Sequence, residues 1–328
     1  MTKPVLSVVV PVYNVVEYLK DCLDSLKAQS LEAIEVVVVD DGSTDGSREL
    51  AQDLISDDPR FRLVETSHGG LGRARNIGVA ACGDTEYLAF ADSDDLVTPD
   101  AYLKMVSLLG SSGSDFVTGN VQRLTGSELT QAWQYERIKT TRTNVHITED
   151  LSLLTDRVAW NKVFRRSFWH ERRLSFPEGM LYEDSPVMIP AHFMAKSVDV
   201  LHEHVYIWRV RAGSISQRLT DHQGVADRIA GCRHVSEFLA DAEDGRWAEF
   251  KPVYDRSVLV DDLFDWLQTL PMNDEAFRTA FLDEMEGLIE SFAPGTLAGL
   301  PEDLRLRWTL VQERKMAELL EVLSPARE

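Results

Sequence analysis

Cysteine is scarce in this chain, because its 328 residues include only Cys22, Cys82 and Cys232. An odd number of widely spaced cysteines excludes a disulfide framework, and no pair has the CxxC spacing of a zinc site. Thiols at this low density are typical of a reducing compartment. We therefore expect a cytoplasmic protein without structural disulfides.

The chain also lacks a net positive charge and long apolar runs. The formal charge of -20 excludes nucleic acid as the main partner, because binding a phosphate backbone draws on a basic surface. No apolar stretch approaches the roughly 20 residues that cross a bilayer. The first apolar run, residues 5–12, is too short for a signal peptide and lacks a cleavage pattern. A lipid-linked acceptor would therefore be met by a peripheral protein at the inner face of the membrane.

The sequence does contain a regular alternation of strand and helix patterns. Strands are predicted at 5–10, 34–39, 61–65 and 86–91, and helices at 18–29, 44–56 and 71–82. This alternation predicts βαβ units around a mostly parallel sheet, in which ligands bind beyond the carboxyl ends of the strands. Polar clusters follow three of the strands, at 13–14, 40–41 and 92–95. They should therefore converge on one edge of the sheet.

The pattern becomes less regular after residue 111. A strand at 115–118, a helix at 182–195 and a strand at 204–210 are predicted, and the chain reads as helical and acidic beyond about 220. Breaks are expected at Pro252, Pro271, Pro294 and Pro301. We expect a catalytic domain at 1–216 and a helical region at 217–328 that serves oligomerisation, acceptor docking or linkage to a further domain.

The segment Asp92-Ser93-Asp94 is a candidate metal site. Two carboxylates two positions apart on a turn can face one hard cation while nucleotide phosphates complete the coordination shell. The alternative is a solvated acidic loop that caps the helix starting near Pro99. A calcium loop is excluded because Leu96 stands where that pattern needs Asp or Asn.

Two further loops carry candidate binding residues. After the second strand, Gly42 forms a turn and Ser43 or Thr44 would cap the next helix, but this does not explain the paired acids at 40–41. The loop at 68–76 opens a helix with glycines and two arginines, which suits a diphosphate. The alternative for that loop is a surface helix with solvated arginines.

Glu183 and Asp184 interrupt an apolar region. One of them could remove the proton of an acceptor hydroxyl, or one could be a helix N-cap. Trp160-Asn161-Lys162 and the segment 209–214 add cations and hydroxyls. These groups could hold phosphate or neutralise the acids.

Four segments in this order resemble the family 2 glycosyltransferases of the GT-A fold: PVYN at 11–14, VVVVDDGSTDGS at 36–47, GGLGRARNIG at 69–78 and FADSDD at 90–95. WNKVFRRSFW at 160–169, LYED at 181–184 and YIWRVRAGSIS at 206–216 extend the resemblance, especially to bacterial members acting on cell-wall polymers such as teichoic acids. The resemblance covers about residues 4–216. It implies a Rossmann-like α/β fold with a mostly parallel central sheet flanked by helices, followed here by a C-terminal helical segment.

The resemblance also implies roles for individual residues. Donor binding would involve Pro11, Tyr13 and Asp41 at the nucleobase, Arg75 at the diphosphate, and Asp92 at the ribose or donor sugar. Asp94, with Asp92 beside it, would hold a divalent metal, Mn²⁺ or Mg²⁺. Asp184 would be the base, supported by Glu183, while Lys162, Arg211 and Ser214 would serve the phosphate or acceptor side. His68 stands where relatives commonly have Asn, and its contact would be with the base or ribose.

The implied reaction is an inverting transfer from a nucleotide diphosphate sugar, with UDP-sugars favoured, to a hydroxyl group. The acceptor would be a cell-wall glycopolymer such as a polyol-phosphate polymer, a polysaccharide or a lipid-linked glycan, and the C-terminal helices could form a homo-oligomer. One alternative is a nucleotidyltransferase, although such enzymes carry a glycine-rich signature with a Lys where this chain has PVYN. Another is a nucleotide-sugar-binding or assembly module of a larger polymer-synthesising protein.

Overall fold

A computed structural model of the protein describes residues 3–211, 214, 219–241 and 245–324. The chain divides into two compact units, Met1–Arg211 and Ala212–Glu328. The predicted domain boundary at 216 falls outside the described residues. Among the residues that the structure describes, no helix combines the length and apolarity needed to span a membrane.

The first half of unit one alternates strands and helices as predicted. Its elements are β1 (Leu6–Val12), α1 (Val16–Lys27), β2 (Ile34–Asp40), α2 (Ser47–Ile55), β3 (Phe61–Glu65), α3 (Leu71–Ala81) and β4 (Tyr87–Phe90). Every residue of β1 is buried, and so is all of β2 except Glu35, which is half-buried. This burial explains why both strands read as continuous runs of β-branched residues, since helices cover both faces of the sheet.

The second half of unit one is more irregular. Its elements are β5 (Leu96–Val97), α4 (Ala101–Ser112), β6 (Phe116–Thr125), β7 (Glu128–Gln131), β8 (Arg142–Val145), β9 (Lys162–Arg165), α5 (Arg166–Glu171), α6 (Ser185–Met194) and β10 (Val198–Val210). Single 3-10 turns lie at Trp133–Tyr135 and Leu151–Thr155. The predicted strand at 204–210 is the second half of β10, and the one at 115–118 extends through β6.

One sheet joins all ten strands. Its order is β3-β2-β1-β4-β9-β6-β10-β5, with β7 beside β6 and β8 beside β10. The strands β1 to β4 pair in parallel, and β9 runs antiparallel to both β4 and β6. Because two reversals cancel, β6 again runs parallel to β4. The carboxyl ends of β1, β2, β4 and β6 therefore open on the same edge of the sheet.

Alternate residues of β1 pack into two different cores. Val8 and Val10 belong to the core that includes α1, whereas Val9 belongs to the core that includes α3. Gly78 of α3 lies so close to the sheet that a Cβ atom there would stand 2.2 Å from Val9 Cγ1. This contact sets how near α3 lies to the sheet.

Unit two is helical, as predicted. It contains α7 (His222–Asp241), α8 (Lys251–Ser257), a π-helical turn (Val258–Asp262), α9 (Phe264–Thr269), α10 (Glu275–Ser291), α11 (Glu302–Gln312) and α12 (Met316–Leu323). Pro271 and Pro294 follow the ends of α9 and α10, and Pro301 precedes α11. Pro252 lies in the first turn of α8, where a missing N–H costs nothing.

Candidate active site

Arg75 of α3 lies at the centre of the candidate active site, with 1% of its surface exposed. One terminal nitrogen donates to Asp92 Oδ1 at 2.7 Å, and the other donates to Glu183 Oε1 at 2.5 Å and to Asp184 Oδ1. The guanidinium carbon also lies 5.1 Å from the centre of the Phe176 ring. Residues far apart in sequence therefore meet in one group, called here the arginine cluster: Arg75, Asp92, Glu183 and Asp184.

The arginine cluster holds three carboxyl groups and one guanidinium. Burial raises the pKa of Asp92 to about 6, although Arg75 acts in the opposite direction. Burial also raises the pKa of Glu183, and the charge of Asp184 adds to that shift despite Arg75. Burial alone would lower the pKa of Arg75, but the three carboxyl groups outweigh it and raise that pKa. The carboxyl groups together therefore hold a proton more readily than isolated acids would.

The turn after β4 directs Asp92 and Asp94 by anchoring the residues around them. Asp92 N donates to the Tyr206 hydroxyl at 2.9 Å. Asp95 is buried, and its Oδ1 accepts a hydrogen bond of 2.7 Å from Arg209 N in β10. Burial raises the pKa of Asp95 well above its usual range, and the charges of Asp94 and Asp92 raise it further. Asp95 therefore fastens the turn, while Asp92 and Asp94 stay partly exposed.

Asp94 is bonded to Arg209 in β10 and to Arg211 directly after it, although part of its side chain stays exposed. Its Oδ2 accepts a hydrogen bond of 2.7 Å from Arg211 Nε, and its carbonyl accepts one of 3.0 Å from Arg209 Nε. Both guanidinium carbons lie over the Tyr18 ring, at 5.3 Å for Arg209 and 5.2 Å for Arg211. The predicted alternative of a solvated acidic loop therefore does not describe this segment.

A divalent cation fits this turn only as part of a shared site. Across 3–211, 214, 219–241 and 245–324, no three His, Cys, Asp or Glu side chains converge as metal ligands. Asp92 and Asp94 offer hard oxygen ligands, but each has one oxygen bonded to an arginine. The remaining ligands would have to come from a bound diphosphate and water, as is common for Mg²⁺.

Asp184 is held by bonds to both of its oxygens. It occupies the N-cap position of α6, but its side chain makes no capping bond. Its Oδ2 instead accepts a hydrogen bond of 3.1 Å from Ala159 N, while Oδ1 accepts from Arg75. About 15% of the side chain remains exposed. The carboxylate is therefore fixed in orientation and still open to solvent on one side.

Asp41 joins the end of β2 to the glycine loop that precedes α3. Its Oδ1 accepts from Gly69 N and its Oδ2 from Gly70 N, both at 2.9 Å, and Oδ2 also lies 2.9 Å from His68 Nδ1. The His68 ring stacks on Tyr13 with centroids 4.0 Å apart and planes 16° apart. The sequence did not reveal this ring pair, which lies beside the carboxyl ends of β1 and β2. Pro11 is buried in β1, two residues before Tyr13.

Asp40, the other acid of the pair at 40–41, has a structural role. It is fully buried, and both of its oxygens accept from Ser43 N at 3.3 Å, while Oδ2 also lies 3.6 Å from Arg48 Nε. It therefore shapes the turn after β2. The predicted cap of α2 by Ser43 or Thr44 was wrong, because Gly46 holds the N-cap position and the helix begins at Ser47.

The structure does not bring Lys162 to an open surface. Only 1% of the residue is exposed, and Nζ donates to Asp156 Oδ1 and Val158 O at 2.7 Å and to Asn161 Oδ1 at 2.9 Å. A phosphate contact would require Lys162 to leave three internal acceptors. In the same way, a diphosphate contact by Arg75 would require the arginine cluster to open. Ser214 is half-buried in unit two, and its role stays a prediction.

Two supporting contacts were missed at the sequence level. The Asn76 side chain donates to Phe176 O at 2.8 Å and accepts from Phe176 N at 2.9 Å. A Cβ atom at Gly72 would stand 2.2 Å from Pro177 O. Both contacts hold the segment around Phe176 close to α3. The only signal in the sequence was that Gly72 and Asn76 flank Arg75 in one motif.

Comparisons with known proteins relate this chain to one family and one fold. The family model described as Glycosyl transferase family 2 matches residues 7–172. EpsH of Bacillus subtilis (strain 168) is 34% identical over 231 residues, covering 66% of this chain and 64% of EpsH. A poly(ribitol-phosphate) beta-glucosyltransferase of Bacillus spizizenii is 28% identical over 211 residues, covering 63% of this chain and 32% of that protein. The chain therefore spans less than two thirds of the length of these relatives.

Among solved structures, S. aureus TarS 1-349 in complex with UDP-GlcNAc is similar in fold. The TM-score is 0.80 at 19% sequence identity, and the match covers 97% of this chain and 90% of that one. The predicted fold class is thereby confirmed.

Proposed function

Because the chain belongs to glycosyl transferase family 2, we propose that it transfers a sugar with inversion from a UDP-sugar to a hydroxyl group. The observation that carries this proposal is the arginine cluster, which brings the candidate base and a candidate donor-binding acid to one guanidinium. Buried charges held in fixed positions are a common feature of catalytic sites.

The proposed donor site follows the carboxyl ends of the first strands. Uracil would lie beside Pro11, Tyr13 and Asp41, where the Tyr13 and His68 rings offer a stacking surface. The oxygens of Asp41 already accept three internal bonds, so in this proposal Asp41 fixes the loop and His68 presents the polar edge. UDP is favoured because the TarS structure contains UDP-GlcNAc.

The proposed diphosphate site lies at Asp92, Asp94 and Arg211. Asp94 with Asp92 would hold Mn²⁺ or Mg²⁺ together with the diphosphate, and the bound cation would supply charge neutralisation for the leaving group. Arg211 would then be free to turn from Asp94 to a phosphate oxygen. A guanidinium suits that contact, since it donates two hydrogen bonds in one plane.

In the proposed chemical step, Asp184 accepts the proton of the acceptor hydroxyl. The hydroxyl oxygen attacks the anomeric carbon, the bond to the diphosphate breaks, and UDP leaves with the electron pair. Arg75 holds one oxygen of Asp184 and one of Asp92, so it orients the base and the donor contact together. Glu183, with its raised pKa, acts beside them as a partner of Arg75.

The test is the isosteric change Asp184→Asn, with exposed Asp53→Asn as control. Because the amide cannot take the proton, we expect transfer to fall by at least about 10³-fold. UDP affinity measured by calorimetry should stay within about threefold, because it does not depend on a base. The control should behave as wild type.

Three results would contradict parts of the proposal. Wild-type turnover in Asp184→Asn would remove the base assignment. Release of pyrophosphate instead of UDP would indicate a nucleotidyltransferase. Binding of UDP-sugars without transfer to any acceptor would indicate a binding module.

The proposed acceptor is a cell-wall glycopolymer, a polysaccharide or a lipid-linked glycan. The relative from Bacillus spizizenii, named for poly(ribitol-phosphate), supports the first of these. The exposed surface of unit two, α7 to α12, is proposed to dock the acceptor or to form a homo-oligomer, whereas its buried groups serve folding.

A further inference from the structure

Residues 156–162, called here the lysine turn, close around one buried cation. Lys162 Nζ donates to Asp156 Oδ1, Val158 O and Asn161 Oδ1, so all three of its protons are used inside the turn. Asn161 Nδ2 in turn donates to Gly119 O at 3.0 Å and to Asp156 Oδ1 at 3.2 Å. The shape of the lysine turn therefore depends on the charge at its centre.

The lysine turn is bonded to α6 at two points. Ala159 N donates to Asp184 Oδ2 at 3.1 Å, at the start of the helix. His192 Nε2 lies 3.2 Å from Asp156 Oδ2, in the last turn of the helix. Ala159 and His192 are fully buried. The turn and the helix that begins after Asp184 thus form one connected piece.

Asp156, Lys162 and His192 influence one another's pKa values within this connected piece. Burial would raise the pKa of Asp156, but Lys162 and His192 outweigh it and lower that pKa. Burial lowers the pKa of His192, while its hydrogen bond to Asp156 and the charge of that carboxyl act in the opposite direction. Removing Lys162 would leave Asp156 buried without its compensating cation.

We propose that Lys162 is a positioning residue, which acts through the lysine turn to keep the Ala159 amide bonded to Asp184 Oδ2. This inference rests on the proposed function of Asp184 as the base. Arg75 holds only Oδ1, so without the Ala159 bond the carboxylate can rotate about its own axis. A misplacement of about 1 Å at a catalytic group can cost about 10²-fold in rate.

The first test is Lys162→Met, which keeps the length and removes the charge. We expect kcat to fall about 10–100-fold. The KM for UDP-sugar and the Kd for UDP should change by less than about threefold, because neither depends on the base. A role in phosphate binding predicts the opposite, a raised KM and a weaker Kd.

Lys251→Met is the matched control. Lys251 Nζ also has three internal acceptors, at 2.6 Å from Asp255 Oδ2, 2.6 Å from Ser236 Oγ and 2.7 Å from Ser291 O, and it lies in unit two. The variant Lys251→Met should lower Tm as Lys162→Met does. Its kcat, measured well below Tm, should stay within about twofold of the wild-type value. An equal fall of kcat in both variants would overturn the proposal.

A second pair of variants decides the matter if Lys162→Met does not fold. His192→Gln can keep a donor near Asp156 Oδ2, whereas His192→Leu removes it. We expect His192→Leu to lose about 5–10-fold in kcat and His192→Gln to stay near wild type. Unchanged kcat in His192→Leu would overturn the proposal. Asp184→Asn is measured in the same assays. If it abolishes transfer while His192→Leu keeps its kcat, the role of the lysine turn is wrong and the assignment of Asp184 as the base still stands.

Discussion

At the scale of single residues, the arginine cluster shows what long-range packing adds to a motif. Asp92 and Asp184 were predicted as site residues because they stand in recognisable segments. Their common partner Arg75 was instead assigned to the diphosphate, because sequence spacing cannot show that one guanidinium meets three carboxyl groups. Sequence spacing also cannot show that Lys162 is enclosed by three internal acceptors, since these are set by the fold of the lysine turn.

Asp92 also predicts a pH dependence of stability. Its pKa of about 6 in the folded protein exceeds the ordinary value of 3.8, so the folded state binds a proton more tightly than the unfolded state. Stability should therefore fall as pH rises from about 4 to about 6, by about 1–3 kcal/mol, and should not change further above that range from this cause.

Urea unfolding of wild type and Asp92→Asn between pH 4 and pH 7 measures this effect. The unfolding free energy of wild type should fall relative to that of Asp92→Asn as pH rises to about 6. Above that pH the difference between the two proteins should stay constant. A difference that is constant across the whole range would show that burial does not raise this pKa.

At the scale of elements, Gly78 links the packing of α3 to the site. A Cβ atom there would overlap Val9 Cγ1, so Gly78→Ala must move α3, which carries Arg75, away from β1. We expect a loss of about 1–3 kcal/mol in unfolding free energy. Turnover should fall as well, because Arg75 moves with its helix.

Gly110→Ala in α4 is the control for this change. No atom of the residues that the structure describes lies within 4 Å of a Cβ atom at Gly110, so that variant should gain up to about 1 kcal/mol from helix propensity and keep its turnover. Denaturant midpoints and initial rates measure both variants. Equal effects at the two glycines would contradict the packing argument.

Elements with a strong pattern were predictable, and those with a weak one were not. The strands β1 and β2 follow a clear pattern because nearly all of their residues are buried, and α1 does so because its buried residues recur along one face. The short strands β7, β8 and β9 lack such a pattern, because four residues are too few to show a period. Their pairing is decided by neighbours far along the chain, such as β9 between β4 and β6.

At the scale of the whole molecule, the negative charge bears on the acceptor. A chain with a formal charge of -20 repels a polyanionic polymer, and salt screens that repulsion. If the acceptor is a polyol-phosphate polymer, we expect its KM to fall as KCl rises from about 10 to about 150 mM. Initial rates with poly(ribitol phosphate) measure this.

A neutral oligosaccharide acceptor provides the comparison. Its KM should be insensitive to salt over the same range. A polymer KM that rises with salt would instead point to a local basic surface that binds the polymer.

The predicted boundary at residue 216 rests on the end of the family resemblance and on the helical, acidic pattern beyond about residue 220, and the structure divides the chain after Arg211. The role of the helical unit could not be derived, because its helices carry packing residues and no chemical motif.

The arginine cluster also bears on how this fold can change during evolution. Loss of Arg75 alone would leave three neighbouring buried or half-buried carboxyl groups without their cation, which is costly to fold. Loss of one acid would be tolerated better. Descendants that abandon catalysis while keeping the fold should therefore shed the acids before the arginine, and this order of loss could separate active from inactive lineages.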